Sequence, residues 1–135
     1  MSNAEVFFDT NVVLYLLSGD TIKADRAEEL LAIGGAISVQ VLNEFAAAAS
    51  RKLRMSWPEI REVLAQVRAV CPVEPMSVDT HERAVQVAER YGLSFYDALI
   101  VAAALLAGCA TLYSEDMQDG QVIERQLTIH NPFKV

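Results

Sequence analysis

Val6-Phe7-Phe8-Asp9-Thr10-Asn11-Val12-Val13-Leu14-Tyr15-Leu16-Leu17 opens with three β-prone apolar residues, breaks at a polar turn, and resumes as a second apolar run. A buried strand, a turn and a short helix account for that order. Asp9 then falls at the carboxyl end of a central strand, the end at which α/β sheets keep their ligands. The same aspartate also suits a cap for the helix that follows.

Outward from this stretch, strand-like and helical segments alternate. Ile22 to Ile33 carries Ala24, Ala27, Leu30 and Leu31 at helical spacing and stops at Gly34-Gly35. Ala36 to Val39 reads as a short buried strand, and Gln40 onward as a helix ending in the basic group Arg51, Lys52 and Arg54. Ser56-Trp57-Pro58-Glu59 has capping-box spacing with an early proline, which predicts a helix over Trp57 to Val70. Pro72 and Pro75 bracket a connection or edge strand. Val78 to Tyr91, closed by Gly92, and Phe95 to Ala107, closed by Gly108, are two more helices; Ala110 to Tyr113 and Leu127 to His130 are late strands. The alternation predicts one α/β domain over residues 1–135, with a parallel sheet covered by helices on both faces.

The chain has 135 residues, 53% of them hydrophobic, enough for one core. No apolar run approaches the roughly 20 residues of a membrane span, and Met1 to Glu5 lack the start of a signal peptide, so a soluble cytoplasmic protein without a membrane partner is expected. Cys71 and Cys109 show no ligand spacing and lie in or beside apolar segments, as reduced buried thiols do. The net charge of −7 argues against nucleic acid, unless several acids gather in one pocket whose bound cations invert the charge that a phosphate meets.

Four acids are candidates for such a pocket. Asp9 and Asp116 each follow a predicted strand. Glu44 shares a helical face with Val41, Phe45 and Ala48, and Asp97 shares one with Leu93, Ile100 and Val101, so both point inward. A buried carboxylate must be protonated, paired or ligating. An arginine partner for Glu44, a capping box for Asp97 at Ser94-Phe95-Tyr96-Asp97, and plain solvation of Asp116 are the alternatives. Oxygen donors without histidine or cysteine select Mg²⁺ or Mn²⁺ over zinc, and His81 and His130 lack ligand spacing.

Phe7 to Leu16, Asn43-Glu44-Phe45, Ser94 to Ile100 and Leu112 to Met117 resemble, in order, the motifs of PIN domains, with the VapC-type toxins of bacterial toxin-antitoxin pairs as the nearest group. The resemblance spans nearly the whole chain. It implies a parallel sheet of about five strands and metal-dependent endonucleolytic hydrolysis of RNA. Asp9, Glu44, Asp97 and Asp116 would be the metal-site and catalytic residues, with Thr10, Asn11 and Ser114 beside them. It also implies a homodimer and a cognate antitoxin, for which the Trp57 to Val70 helix is the candidate docking element. Asp119 lies outside the usual position of the fourth motif. Arg51, Lys52 and Arg54 are candidates to hold RNA phosphates, or simply a solvated helix end.

Two rivals remain. A phospho-acceptor domain would also place an aspartate after its first strand, but with a second acid beside or two residues from it and a lysine after a later strand; position 11 is Asn, and no lysine follows Tyr113 before Lys134. A catalytically inactive module that binds RNA or protein would keep the fold and lose the acids, whereas all four acids are present.

Overall fold

The structure, a computed structural model, describes residues 5–134. The residues read for a leader, apart from Glu5, and both extreme ends of the expected domain lie outside the described residues. Strands β1 (Val6–Phe8), β2 (Ile37–Ser38), β3 (Val73–Glu74), β4 (Thr111–Tyr113), β5 (Val122–Ile123) and β6 (Leu127–His130) alternate with helices α1 (Thr10–Leu14), α2 (Thr21–Ile33), α3 (Val39–Arg51), α4 (Trp57–Val70), α5 (Val78–Tyr91) and α6 (Phe95–Leu106). A 3₁₀ turn, Tyr15–Leu17, continues α1. No helix among the described residues is long and apolar enough to cross a membrane.

The main sheet runs β1-β4-β6-β5, four strands where about five were expected. β1, β4 and β6 are parallel, while β5 is antiparallel to β6. β2 and β3 form a separate parallel ladder, tied to β1 by a bridge between Phe7 and Ala36 and by hydrogen bonds of 2.9 Å from Phe8 N to Ala36 O and from Ala36 N to Val6 O. The β5–β6 hairpin is an addition to the expected strands. Its turn holds Glu124 and Arg125 at φ 53° and 57°, closed by Gln126 N on Ile123 O at 3.0 Å. Successive positive φ values usually call for Asn or Gly, and neither is present there.

Consecutive strand residues face opposite sides of a sheet. Phe7 and Phe8 are both fully buried, so β1 is covered on both faces. β6 alternates instead, with Leu127 and Ile129 buried and Thr128 and His130 exposed, which leaves that end half open. α6 is buried continuously from Ala98 to Leu105 and packs against α5, α3 and β2, which accounts for its unbroken apolar sequence. The caps read from the sequence are present: Ser56 and Glu59 close a capping box on α4, and Gly92 ends α5 in the left-handed conformation. Cys71 and Cys109 are buried free thiols, pushed up to about 11 by burial.

Gly35 sits where the chain enters this core. A Cβ there would lie 2.6 Å and 2.8 Å from atoms of the Phe8 ring, which is fully buried. Gly35→Ala is therefore expected to destabilise the fold by about 1–3 kcal/mol, lowering the urea midpoint with the slope of the transition unchanged. A midpoint equal to the wild type's would contradict this packing.

Candidate metal centre

The β1–β4 register places the first two members of the site. Pairing runs Val6 to Thr111, Phe7 to Leu112 and Phe8 to Tyr113, and continues through Asp9 N on Tyr113 O at 3.0 Å. Asp9 and Ser114 therefore leave the sheet side by side. The Ser114 hydroxyl donates to Asp9 Oδ2 at 2.7 Å while accepting from Met117 N at 3.2 Å. Asp9 Oδ1 takes the Thr10 N–H at 2.7 Å, so the aspartate is the cap of α1 as well as a member of the cluster.

Asn11 and Thr10 extend the network in two directions. Asn11 Nδ2 donates to Asp9 Oδ2 at 3.2 Å and to Asp116 Oδ2 at 3.1 Å, joining the two acids that follow strands. Its Oδ1 accepts the Glu115 N–H at 3.2 Å. Thr10 Oγ1 donates to Glu44 Oε1 at 2.6 Å, and Gln40, one helical turn before Glu44, donates Nε2 to Oε2 at 3.0 Å. The arginine considered as a partner for Glu44 is replaced by these two neutral donors. Gln40 was not picked out from the sequence, although its i, i+4 spacing to Glu44 is a usable signal.

Asp97 enters from the first turn of α6, where the Ser94 hydroxyl accepts its N–H at 3.2 Å, one half of the capping box its sequence suggested. The four carboxylates act on one another electrostatically. Burial is the main force raising Asp9, with Asp97 and Glu44 adding to it and hydrogen bonds from Ser114 and Thr10 opposing it; the net value is about 6. Burial likewise raises Asp97, opposed by Ser94 and reinforced by Glu44 and Asp116. Glu44 and Asp97 are half-buried and Asp116 is exposed, so the inward orientation expected of the two helical acids is a partial one. Among the described residues, no three acidic, histidine or cysteine groups are drawn into a closed ligand cage.

The remaining candidates sit around this cluster. Arg51 and Lys52 line a groove of about 270 Å³ together with Glu44, and Lys52 also lines a neighbouring one that reaches Asn11. Arg54 lies beyond the helix at φ 53° and lines neither. Asp119 is engaged elsewhere, accepting from Asn131 N at 2.8 Å and pairing with Lys134 and His130. His81 packs edge-on against Phe95.

Residues 6–118 match the family model of the PIN domain. The chain belongs to the PIN domain family. Among solved structures, a toxin-antitoxin complex from Klebsiella pneumoniae is 23% identical with a TM-score of 0.73, covering 96% of this chain and 99% of that one. VapC20 of Mycobacterium tuberculosis, a Sarcin-Ricin loop cleaving toxin, is 24% identical with a TM-score of 0.67, covering 82% and 89%. VapBC2 from Rickettsia felis, bound to a DNA fragment from its promoter, is 19% identical with a TM-score of 0.67, covering 93% and 97%. At these identities the likeness is one of fold. Comparison with curated proteins finds no match.

Folded Asp9 keeps its proton to about pH 6, whereas the unfolded side chain releases it at 3.8. Folding thus takes up a proton in this window, and stability falls as pH rises through it. At about 1.4 kcal/mol per pKa unit, ionised Asp9 costs roughly 3 kcal/mol at neutral pH. Asp9→Asn in metal-free buffer is expected to raise stability by about 1–3 kcal/mol above pH 6. The gain should shrink from pH 6 to pH 4 and vanish below. Denaturant melts across pH check this, and a variant less stable at every pH would contradict it.

Proposed function

We propose that this PIN domain is a metal-dependent endoribonuclease, the toxin of a toxin-antitoxin pair, with Asp9, Glu44, Asp97 and Asp116 holding Mg²⁺ or Mn²⁺. The observation that carries the reading is a buried carboxylate, Asp9, raised to about 6 and surrounded at electrostatic range by further acids and no compensating cationic side chain in its hydrogen bonds. Such a cluster fits a hard divalent cation in charge and in donor type. Mg²⁺ keeps several of its waters and needs only one or two direct carboxylates, so a closed cage is not required.

A divalent cation at such a site supplies Lewis acidity toward a phosphodiester and its attacking water. The chain's own residues supply the frame. Asp9 and Asp97 are assigned as direct ligands, Glu44 as a ligand or the base that takes the water's proton, and Asp116 as a ligand of a more weakly held ion. Ser114, Thr10 and Asn11 hold these carboxylates at fixed angles through the bonds described above. Arg51 and Lys52 share a groove with Glu44, which supports a role for them in meeting RNA phosphates. They offset locally the repulsion expected from a net charge of −7.

The toxin role is supported by the fold neighbours, one of which is described as a toxin-antitoxin complex and another as a Sarcin-Ricin loop cleaving toxin. A mostly apolar groove of about 390 Å³ between the 3₁₀ turn, α2 and α4, lined by Leu16, Leu17, Leu31, Val63, Val67 and Val70 with Glu28 and Gln66 beside them, is the candidate antitoxin surface. A homodimer and a cytoplasmic location belong to the same reading.

Cleavage of a mixed structured RNA by wild type and Asp97→Asn, purified side by side with Mg²⁺, Mn²⁺ or EDTA, tests the reading. The wild type should cut only with metal, and the variant should lose at least about 100-fold, at or beyond the upper end of what groups supporting a ligand usually cost. Equal cutting by both proteins would remove the assigned acids from catalysis, and silence from both with RNA retained on the protein would replace the nuclease by a binding module.

A further inference from the structure

Lys23 has no place among the motif residues, yet it is tied to the site through one continuous chain of contacts. Its Nζ lies 2.7 Å from Glu115 Oε2 and 3.1 Å from Tyr15 Oη, and sits over the Tyr15 and Phe133 rings at 4.7 Å and 5.9 Å. The Tyr15 hydroxyl donates to the other Glu115 oxygen. Glu115 is thus gripped on both oxygens by residues from two different elements, α2 and the 3₁₀ turn. Its own N–H binds Asn11 Oδ1 at 3.2 Å, and its chain neighbours are Ser114 and Asp116.

That backbone contact fixes which way the Asn11 amide points. With Oδ1 occupied by a donor, Nδ2 is left to face Asp9 and Asp116, the orientation both acids need. The reversed amide would set Oδ1 against two carboxylates and Nδ2 against an N–H. Side-chain exposures of 33% and 24% for Lys23 and Glu115 make the pair a weak source of overall stability, which leaves its geometry as its contribution.

We propose that Lys23, through Tyr15 and Glu115, is a positioning residue that sets the 114–116 segment and the Asn11 amide, and thereby the cation affinity of the Asp9–Asp116 side of the centre. This rests on the metal-site reading above, but not on RNA cleavage. The contacts of Lys23 are with Glu115, Tyr15 and Phe133, so its effect on the centre passes through Glu115 and Asn11.

The test compares wild type, Lys23→Met and Lys23→Arg as full-length proteins. In metal-free samples, ¹⁵N spectra report the Glu115 amide and the Asn11 side-chain amide; Mn²⁺ binding is then followed by the loss of the free-ion paramagnetic signal. Lys23→Met is expected to shift or broaden both sets of signals and to weaken Mn²⁺ binding by about 10–100-fold, with the melting midpoint moving only a few degrees. Lys23→Arg, which keeps the charge and its stacking on Tyr15, should restore both readouts. Undisturbed Asn11 and Glu115 signals in Lys23→Met, or Mn²⁺ affinity within twofold of wild type, overturn the proposal. Should Lys23→Met fail to fold, Glu115→Gln and Tyr15→Phe each remove one grip; weakened Mn²⁺ binding in either supports the proposal and unchanged binding in both overturns it. Loss of Mn²⁺ binding in the variants together with a wild type that binds Mn²⁺ and cuts no RNA would leave the brace standing and remove the nuclease.

Discussion

Asp9 is a carboxylate taken out of water at the point where two parallel strands leave the sheet, and its neighbours are further carboxylates rather than bases. Only 4% of the residue is exposed. Hydrogen bonds from Ser114 and Thr10 favour its charge but do not outweigh burial, so a positive ion beside it would relieve a cost that its position imposes. A cap that served α1 alone would not need Glu44 and Asp97 at electrostatic range. The cost in stability and the proposed cation site have the same origin.

Everything else in the site follows from how that position is reached. The β1–β4 register sets Ser114 opposite Asp9, and the turn after β1 sends Thr10 toward Glu44 and Asn11 toward Asp116. The apolar α6 is buried from Ala98 to Leu105, and its first turn delivers Asp97. The shared end of the sheet therefore gathers side chains that lie up to 107 residues apart in sequence, from Asp9 to Asp116. Arg51 and Lys52 add positive charge at the rim without entering the network.

Features written in local residues were legible beforehand. Ser56 with Glu59 and Gly92 mark helix ends that coincide with the observed ones, and Asp9 was placed correctly after β1 because a short β-prone run ends abruptly at a polar turn. Features that depend on distant partners were not legible. β5 is two residues long, and its turn uses Glu124 and Arg125 where a hairpin signal would show Asn or Gly. The antiparallel edge was missed for that reason. One bond to Glu44 comes from a threonine 34 residues away, which helical periodicity could not reveal, whereas Gln40, one turn before it, was within reach of the local pattern. Lys23 and Glu115 meet across 92 residues and leave no trace in local pattern.

Mn²⁺ titration by calorimetry, in buffers of different ionisation heat at pH 6 and pH 8, addresses the central claim most directly, because a cation entering this cluster must displace the proton of Asp9. Binding is expected to release protons at pH 6, where burial keeps Asp9 partly protonated, and to release fewer at pH 8. Asp9→Asn should lose that proton release and most of the affinity. A wild type that binds no Mn²⁺, or binds it with the same affinity and proton count as Asp9→Asn, would contradict the assignment of these carboxylates to a metal centre.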